Sequence, residues 1–509
     1  MSDATMDFRQ DAVLHWVREG VIGKNAVVRT PHGTLPKRYF DYTASGVPFA
    51  PIEDLVRDGV LPWMANTHTE ASATGGYMTE LYDAAHKAAA REVNASRDDA
   101  VIFTGTGATG AINKLIRAIG LLIPEPIERM VKVRGQIPDD ERPLVVISRM
   151  EHHSNDLPWR ESIADVVMVG FDDMGRVCPH KLDAILADPK YKKRPLKIGS
   201  FSAASNVTGI VNDVDALAEV MHRHGGYACF DYAAAAPYKR VDMHPGGDPR
   251  RRKDAVFISV HKYLGGPQCP GLLVANQALF RSRVPVEPGG GTVVYTSPWD
   301  WRYIDDLSHR EEGGTPDIVG VIRAGLAFQL KEIIGTERIE RVERHFVERA
   351  VERWRKNDRI MILGDLDAER LGIVSVVFDE GRLHHSLAVR LLSDRYGIQT
   401  RGGCMCAGTY GHDLLGIGAG RSFEIRCALE RGDASSKPGW VRISFSPATS
   451  EEDFLVLLDA VDELAANWQE WSADYRMVPN TDSWKHVADD EHLGNRSLTL
   501  RPPALEGVA

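Results

Sequence analysis

From about residue 95 to about residue 275 the chain alternates short apolar, β-branched runs with longer stretches of helical period. The runs are Ala100–Thr104, Leu144–Ser148, Asp165–Val169, Lys197–Phe201, Tyr227–Asp231 and Ala255–Ser259. Between them lie candidate helices such as Ala108–Ile119 and Val214–His224. Apolar runs without polar alternation are strands covered on both faces, so the pattern predicts βαβ units and a mostly parallel α/β sheet. Ligands of such sheets bind beyond the carboxyl ends of the strands. The residues that end each run are therefore the first candidates for chemistry.

Those residues are unusual for the ends of apolar runs. The first run enters Thr104-Gly-Thr-Gly-Ala-Thr-Gly110 and then a helix. Glycines before a helix N-terminus let backbone N–H groups close around an anion, although plain βα turns use them too. No Gly-Lys-Ser/Thr follows, so this is not a Walker loop. The second run ends in Glu151-His-His-Ser-Asn155, where an imidazole can stack on a flat ring or carry protons. The fourth reaches Ser205-Asn206, the fifth ends in Asp231, and the sixth leads to His261-Lys262. A carboxylate or an ammonium at the end of an apolar run is costly unless it meets a partner. An acid, a stacking histidine, a lysine and a phosphate loop together suit pyridoxal 5′-phosphate. That cofactor needs a Schiff-base lysine, a carboxylate at its ring nitrogen and an anion cradle.

Composition narrows the class. With 509 residues, 43% apolar and 26% charged, the chain is an ordinary globular sequence and not a largely disordered one. Apolar runs such as Leu272–Ala275 fall far short of the ~20 residues that span a bilayer. The opening residues carry Asp3, Asp7, Arg9, Asp11, Arg18 and Glu19, so no secretory apolar region is expected there. The net charge of −10 disfavours nucleic-acid binding. A soluble cytoplasmic protein without membrane contact is expected. Six cysteines are too few for a disulfide scaffold, and Cys404-Met-Cys406 lacks the spacing of a zinc site, so no metal is expected.

Beyond the sheet, residues 321–357 read as one long helical stretch. It leads to strand Gly372–Phe378, helix His385–Tyr396, strand Trp440–Phe445 and helix Glu451–Trp468. Residues 122–142 and 428–439 read as surface insertions, and the tail after about 472 as polar chain that wraps the surface or stays mobile.

Glu151-His-His-Ser-Asn155 with Leu157-Pro-Trp159, and Ser259-Val-His-Lys262, resemble segments of the class V aminotransferase family of fold type I pyridoxal phosphate enzymes. Within that family the chain is most similar to group II cysteine desulfurases and selenocysteine lyases, over most of residues 40–460. The resemblance implies Lys262 as the Schiff-base lysine, Ser259 and His261 at the phosphate, His152 stacked on the ring and Asp231 at its nitrogen. Ala108 and Thr109 match the phosphate loop. Gly289-Gly-Gly-Thr292 resembles the glycine-rich loop that reaches the phosphate of a second protomer, which implies a homodimer with shared active sites. Glu312-Gly-Gly-Thr-Pro316 resembles the segment before the linking helix. The implied division is an N-terminal segment 1–40, a large cofactor-binding domain 41–330, a small domain 331–470 and a tail 471–509.

The substrate end of the resemblance assigns Arg442, in Val441-Arg-Ile-Ser444, to the substrate α-carboxylate, with Asn206 as a second contact. A planar guanidinium suits a carboxylate because it donates to both oxygens. His68, in Thr67-His-Thr-Glu70, matches a histidine near the substrate, and Asp41–Ser45 resembles the opening strand of the same pocket. Arg401-Gly-Gly-Cys-Met-Cys-Ala407 resembles the Arg-x-Gly-x-x-Cys-Ala loop, whose cysteine accepts sulfur. Counting from Arg401, that cysteine is Cys406, and Cys404 stands where histidine is usual. Two departures stand out. Asp231-Tyr-Ala-Ala234 has alanine where the family often has glutamine on the cofactor's 3-hydroxyl. The insertions and the tail are additions that would lie over the sulfur-acceptor loop.

The leading expectation is removal of sulfur or selenium from L-cysteine or selenocysteine, giving alanine through a Cys406 persulfide that a sulfur-acceptor protein then discharges. A C–S lyase, epimerase or aminotransferase-like enzyme using the same Lys262 and Asp231 is the alternative, and a non-catalytic sulfur-relay scaffold the minor one.

Overall fold

In the computed structural model, which describes residues 11–67 and 69–489, a seven-stranded sheet lies at the centre. Its strands are β1 (Asp99–Thr104), β2 (Leu144–Ser148), β3 (Asp165–Val169), β4 (Lys197–Ser202), β5 (Tyr227–Asp231), β6 (Ala255–Ser259) and β7 (Gly271–Asn276). The spatial order is β1-β7-β6-β5-β4-β2-β3. All pairs are parallel except those made by β7, which runs antiparallel to β1 and β6. The six expected runs coincide with strands to within a residue. The alternation breaks twice, since no α-helix lies between β5 and β6 or between β6 and β7; β7 also turns back antiparallel, which its apolar run does not signal.

The crossovers include α1 (Gly107–Ile119), α2 (His153–Arg160) and α3 (Val214–Arg223). They cover the sheet, and Val145, Val146 and Ile147 of β2 are all fully buried. Burying each such side chain contributes about 1.5–3 kcal/mol. After β7 the chain makes an exposed hairpin, β8 (Val293–Thr296) and β9 (Trp301–Tyr303).

The expected single helical stretch is two helices, α4 (Ile318–Ile334) and α5 (Thr336–Trp354). Gly335 separates them at φ +83°, a conformation that interrupts the helix and that glycine adopts without strain. A second sheet follows, β10 (Ile360–Ile362), β11 (Ile373–Phe378), β12 (Arg401–Gly403) and β13 (Trp440–Ser444), antiparallel in the order β10-β11-β13-β12. Its helices are α6 (His385–Tyr396), α7 (Gly408–Leu414), α8 (Ala419–Glu430) and α9 (Glu451–Trp471). Phe346, Trp354, Leu391 and Phe454 make its core, together with Leu14 and Phe40 from the N-terminal segment.

Among the described residues, the additions leave Cys406 uncovered. Residues 122–142 hold two short exposed helices, Glu125–Val131 and Val133–Gln136. The 428–439 segment is tied to the tail by Lys437 and Asp482, 2.7 Å apart. The tail forms a hairpin, β14 (Tyr475–Met477) with β15 (Trp484–His486), whose Tyr475 hydroxyl donates to Asp394 of α6. Cys406 remains exposed.

Candidate active site

Lys262 closes the single 3-10 turn, Val260–Lys262, that follows β6. Burial pulls its amine down to about 8; the Asp231 carboxylate works against that shift and Arg442 adds to it. Asp231 ends β5, the neighbouring strand, and is buried. Burial raises its pKa, while the Ala233 N–H, donating to Oδ1 at 2.8 Å, and the nearby Lys262 lower it.

The turn between β1 and α1 lies across from this lysine. Ala108 N–H donates to Ser259 Oγ at 2.9 Å, so the start of α1 and the end of β6 are joined. Gly107 makes the approach feasible. Its φ is +58°, and a Cβ there would lie 2.8 Å from Ser259 Oγ. The Thr109 and Ser154 hydroxyls are 2.6 Å apart, linking α1 to α2. The N-terminus of α1, with these hydroxyls, presents donors of the kind that can hold an anion.

His152 caps α2, with Nδ1 accepting from Ser154 N–H at 3.1 Å. Burial, and then Lys262, pulls the His152 imidazole down to about 4, and the same two causes bring His261 to about 4. Both rings are therefore neutral near pH 7. Beneath His152, Glu151 is buried and accepts from Ser148, Ser202 and Asn155; burial raises it to about 7.

The second sheet brings in the basic groups. Arg401 and Arg442 are direct cross-strand partners on β12 and β13. Asp41 binds both, Oδ1 to Arg442 Nη2 at 2.9 Å and Oδ2 to Arg401 Nε at 3.0 Å. Arg442 Nη1 donates to the Asn206 carbonyl at 3.1 Å, and its buried Nε has no partner among the described residues. Residues 41–45 form no strand; Asp41 makes only a bridge to Ser444.

Cys406 follows β12 on a tight loop closed by Ala407 N–H to the Cys404 carbonyl, 3.0 Å. Met405 and Cys406 both have left-handed φ, 53° and 55°. For residues with a Cβ this costs roughly 1–2 kcal/mol each, so other contacts must hold the loop. Asn206 Nδ2 donates to the Met405 carbonyl at 2.8 Å, so the amide also helps to hold the loop. Cys406 is exposed, while Cys404 is half-buried against the main core.

These elements meet in one cleft of about 250 Å³, lined by Lys262, Asp231, His152, Arg442, Arg401 and Cys406. Ala108, Thr109, Ser259, His261 and Asn206 also line it. Ala234 lines it too and offers no side-chain hydrogen bond. One residue stands apart, and one cannot be placed. Thr292 is buried in its own turn, its hydroxyl donating to the Gly289 carbonyl at 2.7 Å. His68 lies outside the described residues. Sequence reasoning missed that Asp41 ties the two arginines together, and it gave Glu151 and His153 no role of their own. Only their place in a matched motif pointed to them.

A family model described as aminotransferase class-V matches residues 38–457. The chain belongs to the aminotransferase class-V family. Similar curated proteins include a probable cysteine desulfurase of Halalkalibacterium halodurans, 29% identical over 73% of this chain and 84% of that one. Another, also a probable cysteine desulfurase, is from Streptomyces coelicolor, 27% identical over 72% and 83%. Among solved structures, an apo cysteine desulfurase from Thermococcus onnurineus aligns with a TM-score of 0.70 at 24% identity, covering 89% of this chain and 98% of that one. The cysteine desulfurase CsdA (S-sulfonic acid) of Escherichia coli aligns at 0.66 and 22% identity, over 84% and 94%. The architecture is the expected fold type I α/β fold with a large, mostly parallel sheet.

Proposed function

We propose that the protein is a pyridoxal 5′-phosphate-dependent cysteine desulfurase that converts L-cysteine to alanine and leaves the sulfur on Cys406. The observation that carries this reading is the meeting of an exposed Cys406 thiol with Lys262, Asp231 and Arg442 in one cleft.

The donor set fits the cofactor. Asp231 would hold the ring nitrogen and His152 would cover the ring face. Ala108, Thr109, Ser259 and His261 would hold the phosphate, with Lys262 supplying the amine for the Schiff base. The cradle that Gly107 keeps open and the buried carboxylate of Asp231 support this assignment. When bound, the cofactor supplies an electron sink for carbanion chemistry at the substrate Cα.

The remaining steps belong to the chain's own side chains. Arg442 orients the substrate carboxylate, with its charge held in place by Asp41. Lys262, whose pKa lies near neutrality, takes the Cα proton as a general base. The Cys406 thiolate attacks the substrate sulfur. A sulfur–sulfur bond forms, the carbon–sulfur bond breaks, and its electron pair stays with Cβ. Cβ takes a proton and Lys262 returns its proton to Cα, so the products are alanine and a Cys406 persulfide. An external thiol, such as that of a sulfur-acceptor protein, then removes the terminal sulfur.

A homodimer accompanies this reading. Thr292 does not line the cleft of its own chain, and hairpin β8–β9 exposes Val294, Tyr295, Trp299 and Trp301. The cytoplasm is the proposed location, supported by the six free thiols. Among the described residues no helix is long and apolar enough to cross a membrane. The division of the chain at about residues 40, 330 and 470 is retained as part of the proposal. It is supported by the separate core around the second sheet.

The test is product identity. The cofactor-loaded protein with L-cysteine and a thiol reductant should release alanine. Pyruvate and ammonia in place of alanine would replace desulfuration with β-elimination at the same lysine.

A further inference from the structure

We propose that His153 is a positioning residue for Cys406, holding the loop that presents its thiol to the cleft through both its backbone N–H and its ring. The hydrogen bonds stand on geometry alone; their effect on turnover rests on the reading of Cys406 as the sulfur acceptor.

The loop needs an external hold. Met405 and Cys406 adopt left-handed backbone angles in succession, and neither is a residue type that favours them. The Cys406 carbonyl accepts from His153 N–H at 2.7 Å. Two residues further on, Gly408 N–H donates to His153 Nε2 at 3.0 Å. Gly408 begins α7, and the first N–H groups of a helix have no partner inside it. The residue before it is Ala407, whose side chain makes no capping bond. The His153 ring serves as the missing cap from a helix 255 positions earlier in the chain.

Nε2 can accept only when it carries no proton, which fixes the neutral tautomer with its hydrogen on Nδ1. Burial lowers the His153 pKa; Asp156 raises it and Arg160 lowers it. Adjacent histidines thus divide the work. His152 lines the cleft, and His153 turns outward to the loop. Arg149 ties α7 down at Asp413, but among the described residues His153 alone bonds on both sides of the loop's exit, at residues 406 and 408.

The experiment compares cofactor-loaded wild type, His153→Ala and His153→Gln by amide hydrogen exchange and by turnover. Glutamine places an acceptor oxygen near the position of Nε2. In His153→Ala the peptide spanning residues 404–412 should exchange about tenfold faster, while the peptide around Lys262 is unchanged. His153→Gln should restore most of the protection. Alanine formation from L-cysteine should fall in kcat with KM held in His153→Ala and recover in His153→Gln. Unchanged exchange at 404–412 in His153→Ala would overturn the proposal. So would a general acceleration across the protein in both variants, which marks a folding role only. If exchange responds as expected but wild type makes no alanine, the positioning role stands and the desulfurase reading fails.

Discussion

Arg442 and Asp41 are 401 positions apart in the chain and form a buried ion pair with N···O 2.9 Å. The pair joins the second sheet to the opening loop at the substrate end of the cleft. A buried charge left without its partner costs several kcal/mol, so Asp41→Ala should destabilise the protein by about 3 kcal/mol. Thermal unfolding reads this directly as a lower Tm. Arg442→Lys keeps the charge but loses the fork. It should raise KM for L-cysteine about tenfold or more and leave the cofactor's absorption band in place.

The depressed pKa of Lys262 makes cofactor uptake depend on pH. The neutral amine is the form that attacks an aldehyde, and the neutral form dominates above the pKa. Uptake of pyridoxal phosphate by the cofactor-free protein should therefore rise with pH through a midpoint near about 8, not near the ordinary 10.5. Asp231 raises the lysine pKa, so Asp231→Asn should move the midpoint to lower pH. Stopped-flow absorbance checks both.

Gly107→Ala tests the anion cradle. The new Cβ meets Ser259 Oγ at 2.8 Å, and φ +58° disfavours any residue with a side chain. Phosphate retention should weaken by about 1–2 kcal/mol, a loss of about five- to thirtyfold in cofactor affinity. Equilibrium dialysis measures it.

A titration away from the cleft tests the electrostatics independently. Glu343 is buried on α5, and burial raises its carboxyl from 4.5 to about 8. The folded state then binds a proton that the unfolded state has lost between these two values. Stability from this group is full below 4.5 and falls as pH rises to about 8. Glu343→Gln removes the titration, so its Tm advantage over wild type should grow from pH 5 to pH 8 and then level off. The gain is of the order of a few kcal/mol.

Much of this was legible in the sequence because fully buried strands are read from continuous apolar runs, and their final residues stand out as costly. Asp231 and Lys262 are readable for that reason. The antiparallel direction of β7 is not written in its apolar run, which reads like that of any buried strand, and Gly335 divides a stretch whose apolar period runs on. Partners distant in sequence are harder. Nothing local to Asp41 announces two arginines some 360 and 401 positions away, and nothing local to His153 announces Gly408. The loop contact of Asn206 shows the same limit. One N–H of its amide donates to the Met405 carbonyl, a contact set by the loop's backbone and not by any motif.

The most direct test of the central claim is where the sulfur goes. Cofactor-loaded protein given one equivalent of L-cysteine without reductant, then alkylated and digested, should carry one added sulfur on the peptide containing Cys406. Cys404→Ser should keep that sulfur at Cys406, and Cys406→Ser should release no alanine in repeated turnover. Sulfur found only at Cys404, or alanine formed at the wild-type rate by Cys406→Ser, would contradict the account.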